Sequence, residues 1–236
     1  MTTIISAFIN IPTNQNRNFE KYKEYGIKLL NLDINKIIFL DEKIYHIFEE
    51  YQNDKTILIK TSLDDLYLYK YKEKLNNLQV NTNNPTKDCF DYFAIQCNKT
   101  EWMREGILLN QFSTSHFMWI DFGIHHVLSN ELTINNCCFT KNYNKVRIPN
   151  IWNLDKEYNC DYNKDILWYF AGGVFGGSSE KLLLFADLTK NKCIDLLEKE
   201  NHIMWEVNIW YLVWKENKEL FDNYKADHNN SIIMNY

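Results

Sequence analysis

Three short stretches rich in β-branched residues, IISAFINI at positions 4–11, KIIFL at 36–40 and TILIKT at 56–61, decide the fold class of this protein. Between them lie residues 19–32 and 44–51, whose apolar residues recur at the spacing of one helix face. Strands that alternate with helices in this way form parallel sheets, because each helix returns the chain to the start of the next strand. The sequence therefore predicts an α/β fold with helices on the faces of a parallel sheet.

The bulk composition is typical of one globular domain. The chain has 236 residues, of which 45% are hydrophobic, and such a length corresponds to one domain or to one domain with an added lobe. Its net charge of −5 offers no basic surface, so we expect no nucleic-acid partner. The six cysteines form no CxxC pair, and no apolar run approaches the ~20 residues of a membrane span. We therefore expect a cytoplasmic protein without a transmembrane segment.

The remainder of the chain continues the alternation of strands and helices. Apolar spacing and chain-breaking residues predict a helix over 87–111 with an interruption near Asn98, strands over 116–120 and 168–171, and helices over 179–200 and 202–217. Neither an internal repeat nor a low-complexity linker divides the chain. This continuity also favours a single domain over residues 1–236.

An aspartate follows the predicted strand 116–120, in the sequence WIDFG at 119–123. Ligands of open α/β sheets bind at the carboxyl ends of the strands, so Asp121 is placed where a sheet presents a carboxylate to a ligand. The alternative is an aspartate that only ends the strand. His125 and His126 follow closely and are secondary candidates for the same site.

Four of the seven glycines lie in the sequence AGGVFGG at 171–177. A phosphate-binding loop is excluded, because the sequence continues with Ser178, Ser179 and Glu180 instead of Lys followed by Ser or Thr. A dinucleotide-binding fingerprint fails because alanine occupies the position of its first glycine. We expect a loop whose backbone closely approaches a ligand such as a sugar, with an irregular turn packed on the sheet as the alternative.

Two further residues, Glu206 and His228, are candidates for catalysis and for metal binding. Glu206 follows Trp205 on a largely apolar predicted helix, where desolvation would raise the pKa of its carboxyl toward that of a general base. A surface glutamate that favours the helix dipole is the alternative. His228, between Asp227 and Asn229 near the C-terminus, could join Asp121 in holding a divalent ion if the tail folds back to the sheet edge.

The order of these motifs resembles that of a known family. The stretches ISAF at 5–8, WIDFG at 119–123, AGGVFGG at 171–177, WEVN at 205–208 and DHN at 227–229 are similar to the motifs of the WlaTC/HtrL (YibB-like) glycosyltransferase-like family. The likeness covers almost the whole chain. It implies a GT-A-type α/β fold with a mixed, mostly parallel central sheet, a nucleotide-sugar-binding half over about 1–130 and an acceptor-binding half over about 131–236.

The resemblance also implies roles for individual residues. Asp121 and His228 would hold Mn²⁺ or Mg²⁺ beside the diphosphate, although Gly123 stands where the usual Asp-x-Asp motif has its second acid. The remaining donor-site residues would be Ser6 and Ala7 beside the nucleobase, Lys99 and Arg104 at the phosphates or the sugar, and Gly172, Gly173 and Trp205 around the donor sugar.

The reaction that the resemblance implies is glycosyl transfer. A sugar would pass from a nucleoside diphosphate sugar, expected to be a UDP-sugar, to a hydroxyl of a glycan or glycoconjugate acceptor, with Glu206 as the base. Two alternatives remain open at this point. One is a sugar nucleotidyltransferase that uses the same kind of sheet, and the other is a carbohydrate-binding protein without catalytic activity.

Overall fold

The computed structural model describes residues 2–11, 18–72, 87–129 and 139–236. The three predicted N-terminal strands are present and are joined by four more. The strands are β1 Thr2–Phe8, β2 Lys36–Asp41, β3 Thr56–Thr61, β4 His116–Ile120, β5 Val146–Asn150, β6 Val174–Ser178 and β7 Phe221–Lys225. The residues of β1, β2 and β4 are almost all buried, because helices or loops cover both faces of the sheet there.

The strands form one seven-stranded sheet in the order β3-β2-β1-β4-β6-β5-β7. The pairs β2/β3, β1/β2, β1/β4 and β5/β7 are parallel, whereas β6 runs antiparallel to both β4 and β5. The mixed, mostly parallel sheet of the predicted α/β fold is thereby confirmed. Since β1 and β4 are adjacent and parallel, their carboxyl ends open at the same edge of the sheet.

Helices cover both faces of this sheet. They are α1 Phe19–Leu30, α2 Phe90–Cys97, α3 Lys99–Leu109, α4 Ser179–Glu200, α5 Glu206–Glu216 and α6 Ser231–Met234. The predicted interruption at Asn98 separates α2 from α3, and α4 has the predicted bounds. Helix α5 begins later than predicted, because Trp205 is still extended, with φ −60° and ψ 144°.

Two predicted elements are wrong. Residues 44–51 form two 3₁₀ turns, Tyr45–Ile47 and Glu49–Tyr51, instead of an α-helix. This segment is short and rich in aromatic and β-branched residues, which favour the α-helix weakly. Residues 168–171 contribute only an isolated bridge from Phe170 to Asn150, and the strand begins after them, at Val174.

The second half of the glycine-rich stretch is therefore a strand and not part of the predicted loop. Gly176 and Gly177 lie in β6 and pair with Met118 and Phe117 of β4. Gly177 has a φ of +150°, and a Cβ there would overlap the carbonyl oxygen of Lys145. Close approach by the protein's own chain thus accounts for this glycine, while Gly172 and Gly173 precede the strand as a turn.

Each face of the sheet carries its own hydrophobic core. Successive residues of a strand point to opposite faces, so Ile5 packs on the side of α3 and α4, and Ile4 packs on the side of α1. Trp119 stacks between Trp102 and Phe175 on the first side, with ring centroids 6.2 Å from each. With both faces filled, the open edge at the ends of β1 and β4 is left for a ligand.

No helix in the described part of the chain is both long enough and apolar enough to span a membrane. Cys89, Cys97, Cys160 and Cys193 are free thiols, and Cys137 and Cys138 lie outside the described residues.

Candidate functional site

The pairing of β4 with β6 brings two of the sequence motifs together at the carboxyl edge of the sheet. Ile120 pairs with Val174, and the amide of Asp121 donates a hydrogen bond of 2.9 Å to the carbonyl of Gly173. The turn at residues 172–173 thus lies beside the end of β4. The start of α5 lies against the same turn, since a Cβ on Gly172 would overlap Oε1 of Glu206.

The ammonium of Lys99 lies at the centre of this arrangement. Its Nζ is 3.0 Å from Asp121 Oδ1 and 2.8 Å from Glu206 Oε1, and it donates to the carbonyl of Gly172 at 3.0 Å. Three acceptors match the three N–H donors of an ammonium group. The Lys99 side chain is only 4% exposed, so the site is built around a buried positive charge.

Two neighbouring carboxylates keep Lys99 charged. Burial by itself lowers the pKa of a lysine, because it removes the ammonium from water. Here the negative charges of Asp121 and Glu206, together with their hydrogen bonds, outweigh this desolvation and raise the pKa of Lys99 above its usual value. Lys99 therefore carries its proton throughout the physiological pH range.

The carboxylate of Asp121 is held from two sides and still faces the cleft. Trp119 lies two residues earlier in the chain, and its Nε1 donates to Asp121 Oδ1 at 2.7 Å. Lys99 holds both oxygens, with Nζ 3.0 Å from Oδ1 and 3.2 Å from Oδ2. The side chain remains 28% exposed, so Asp121 is both oriented by the protein and accessible to a ligand.

Glu206 is the first residue of α5, and its side chain is 7% exposed. Its neighbour Trp205 is buried, packs edge-on against Phe93 with ring centroids 5.2 Å apart, and donates from Nε1 to Asp88 at 3.3 Å. These contacts fix the start of the helix, and with it the carboxylate. The surface-glutamate alternative does not describe Glu206, which is buried and paired with Lys99.

Two adjoining clefts open on either side of this centre. The larger has a volume of about 240 Å³, close to the lower limit of small-molecule sites at roughly 300–1,000 Å³. Both clefts are lined by Tyr22, Gln96, Lys99, Asp121 and His126. The larger cleft adds Trp168, Gly172, Gly173, Trp205, Glu206 and His228, and the smaller adds Ala7, Phe8, Ile9 and Trp119.

His228 lies in the larger cleft, where its ring meets the Trp168 ring edge-on with centroids 4.5 Å apart. Burial lowers its pKa below the usual value for histidine, partly opposed by Asp227 and reinforced by His126. The C-terminal segment thus folds back to the sheet edge and brings an imidazole to the cleft that Asp121 lines.

Two predicted donor-site residues lie away from the clefts. The Ser6 side chain is fully buried within β1, and Ser6 lines neither cleft, unlike its neighbour Ala7. Arg104 pairs with Glu101 at 3.0 Å and with Asp187 at 2.6 Å, and it also lines neither cleft. Their roles at the nucleobase and the phosphates have no support from this placement.

Some cleft residues were not identified from the sequence as ligand contacts. Gln96 lies in the last turn of α2, and Tyr22 comes from α1. Gln96 stands three residues before Lys99 in the sequence, a spacing that places side chains on one face of a helix and could have revealed it. Tyr22 has no such signal, because its position depends on how α1 packs against the turn after β4.

The described residues do not fit a divalent metal ion. Among them no group of three or more His, Cys, Asp and Glu side chains is arranged to hold one. Lys99 Nζ already occupies the position between Asp121 and Glu206, so an ion placed between these two carboxylates would have to displace it. The expected Mn²⁺ or Mg²⁺ stays a prediction from the resemblance, without a matching site here.

Two solved structures of low sequence identity are similar to this chain. Mouse xyloside xylosyltransferase 1, in its apo form, is similar with a TM-score of 0.52 and 12% identity, over 95% of this chain and 85% of the mouse chain. A 4-diphosphocytidyl-2C-methyl-D-erythritol synthase from Anaerococcus prevotii matches with a TM-score of 0.45 and 10% identity, over 98% of this chain and 88% of the other. The first of these similarities supports the GT-A-like architecture.

Comparison of the sequence finds no match among curated proteins. The model of one protein family, described as bacterial protein of unknown function (HtrL_YibB), matches residues 1–232. This match covers nearly the whole chain and agrees with the resemblance drawn from the motifs. The chain therefore belongs to the HtrL_YibB family.

Proposed function

We propose that this protein is a glycosyltransferase that moves a sugar from a nucleoside diphosphate sugar, in the first instance a UDP-sugar, to an acceptor hydroxyl. The observation that carries the proposal is the centre formed by Lys99, Asp121 and Glu206 beside the carboxyl end of β4, where two clefts adjoin. The likeness of the fold to a xylosyltransferase supports the same class of reaction. The cytoplasmic location predicted from the cysteines belongs to this proposal as well.

The two clefts suit the two parts of such a reaction. The smaller cleft contains Ala7 and the partly buried ring of Tyr22, beside which a nucleobase can pack. The larger cleft contains Trp168, and the turn at Gly172 and Gly173 leaves the backbone open to a sugar. We assign the nucleobase to the smaller cleft, whose volume is about 40 Å³, and the rest of the donor together with the acceptor to the larger one.

In the proposed reaction, the acceptor oxygen forms a bond to the anomeric carbon of the donor sugar. The bond from that carbon to the phosphate oxygen breaks, and its electron pair leaves with the nucleoside diphosphate. The acceptor proton passes to the carboxylate of Glu206, the acidic side chain at the start of α5 in the larger cleft. Asp121 orients the donor from the opposite side of the Lys99 ammonium.

The proposal is tested by incubating the protein with a panel of nucleotide sugars and glycan acceptors and identifying the released nucleotide. Release of a nucleoside diphosphate together with a glycosylated acceptor supports it. Formation or consumption of pyrophosphate would instead identify a nucleotidyltransferase. Glycan binding without any nucleotide turnover would identify a carbohydrate-binding protein.

Replacement of the base gives a second, residue-specific test. Glu206→Gln should lower the rate of transfer by about 10²–10⁴-fold, the usual contribution of a general base. Glu216→Gln is the matched control, because Glu216 ends the same helix and its side chain is 61% exposed. Transfer by Glu206→Gln within about threefold of the wild-type rate would remove Glu206 from the proposed reaction.

A further inference from the structure

A side chain at the second acidic position of the expected metal motif would collide with the ring of Tyr22. Gly123 stands there, and a Cβ at this position would lie 2.5 Å from Cε1 and 2.7 Å from Cδ1 of the Tyr22 ring. The same tyrosine lines both clefts. An aspartate at position 123 would therefore have to displace an aromatic side chain that forms part of the proposed donor site.

Asp121 provides the first acid of the expected motif, but it is already paired with the ammonium of Lys99. Lys99 Nζ is within hydrogen-bonding distance of both oxygens of Asp121 and of Oε1 of Glu206. Its remaining partner is the carbonyl of Gly172 at 3.0 Å. The buried positive charge of Lys99 is thus surrounded by oxygen atoms of three residues, and it is covalently tethered to α3.

We infer that the ammonium of Lys99 takes the place of a divalent metal ion in this protein, so that the nucleoside diphosphate binds to Lys99 without a metal. The inference rests on the proposed function, because it identifies the group that receives the leaving diphosphate. Lys99 lines both clefts, and a diphosphate that connects the nucleotide to the transferred sugar passes next to it.

The diphosphate binds by replacing one of the hydrogen-bond acceptors of Lys99. Among the described residues, Lys99 has acceptors on Asp121, Glu206 and Gly172, and that of Gly172 is uncharged. A hydrogen bond between charged partners is stronger than one to a neutral carbonyl. A phosphate oxygen therefore replaces the Gly172 carbonyl. When the glycosidic bond to phosphate breaks, the ammonium stabilises the electron pair that the diphosphate retains, and no further reactant is needed.

The first test compares wild-type binding in EDTA and in Mn²⁺ or Mg²⁺, with UDP as the probe and with CDP, ADP and GDP in parallel, by isothermal titration calorimetry. We expect dissociation constants that differ by less than about threefold between the two conditions. Binding that is tenfold or more tighter with the metal overturns the inference and leaves the proposed function standing. Binding of no nucleotide in either condition overturns both.

The second test removes the charge. Lys99→Met should weaken nucleotide binding in EDTA by about 10- to 100-fold, the effect of losing a hydrogen bond to a charged group. Added Mn²⁺ should then recover part of the affinity, because Asp121 and Glu206 are no longer occupied. Lys99→Arg, which keeps the charge, should bind more tightly than Lys99→Met in EDTA.

Lys192→Met is the matched control, since Lys192 pairs with Glu216 at 2.7 Å outside the clefts. It should bind UDP as the wild type does. Unchanged binding by folded Lys99→Met in EDTA, verified by circular dichroism, would overturn the inference. If Lys99→Met does not fold, the wild-type comparison in EDTA and in metal still decides the question.

Discussion

Replacing Lys99 by methionine should strongly destabilise the folded protein. The methionine side chain is similar in length but carries no charge, so it leaves the carboxylates of Asp121 and Glu206 without their cation. The side chains of these acids are 28% and 7% exposed, and removal of one partner from a buried ion pair costs about 3–5 kcal/mol of unfolding free energy. We expect a loss in this range at pH 7, measured by chemical denaturation.

The double variant Lys99→Met/Glu206→Gln separates the ion pair from simple packing. It removes the more buried of the two uncompensated charges, so it should recover a large part of the stability lost in the single variant. A single variant within about 1 kcal/mol of the wild type would contradict the reasoning. So would a double variant whose loss equals the sum of the losses of its two single variants.

The dependence of stability on pH follows from the direction of the Lys99 shift. The pKa of Lys99 is raised in the folded state above its ordinary value of 10.5, so the folded protein holds this proton more strongly than the unfolded chain does. Its contribution to stability is fully present below about pH 10.5 and is lost as the pH rises through the folded-state value. Lys99→Arg should not show this loss, because a guanidinium stays protonated.

Three further outcomes follow from other contacts. Gly123→Asp should lower the free energy of unfolding by about 1–3 kcal/mol through overpacking against Tyr22. In a thermal-shift measurement, Mn²⁺ should not raise the melting temperature of this variant. A rise with Mn²⁺ would show that an aspartate at position 123 can bind the ion. Trp168→Ala should raise the KM for the acceptor by about tenfold with little change in donor binding, because it removes an aromatic wall of the larger cleft. If steady-state kinetics show an equal rise in the KM for the donor, the larger cleft would not be specific to the acceptor. Burial lowers the pKa of His116 from 6.5 to about 4 in the folded protein. As the pH falls through this range, the unfolded chain binds a proton at His116 while the folded protein does not, so the free energy of unfolding should decrease. His116→Asn should reduce this decrease in urea titrations at each pH, and an unchanged pH profile would show that another group is responsible.

The N-terminal strands were predictable because local patterns and tertiary environment agree there. The runs of isoleucine, leucine and phenylalanine in β1, β2 and β3 are strand formers, and the central positions of β1 and β2 are buried. Strand β6 was missed because Gly176 and Gly177 are weak strand formers. Its position is set by pairing with β4 and by contacts with Lys145 and Tyr236, which come from distant parts of the chain.

The sequence by itself determined the α/β class, the family resemblance and the identity of the acidic residues at the sheet edge, because each is encoded in local runs and motif order. Only the tertiary structure decided that Lys99 lies between Asp121 and Glu206, and that Tyr22 covers Gly123. The three charged residues are far apart in the sequence, at positions 99, 121 and 206. Their contact depends on the order of strands in the sheet and on the packing of α3 and α5 against it. The distances between the three side chains are therefore not encoded in any local pattern of residues.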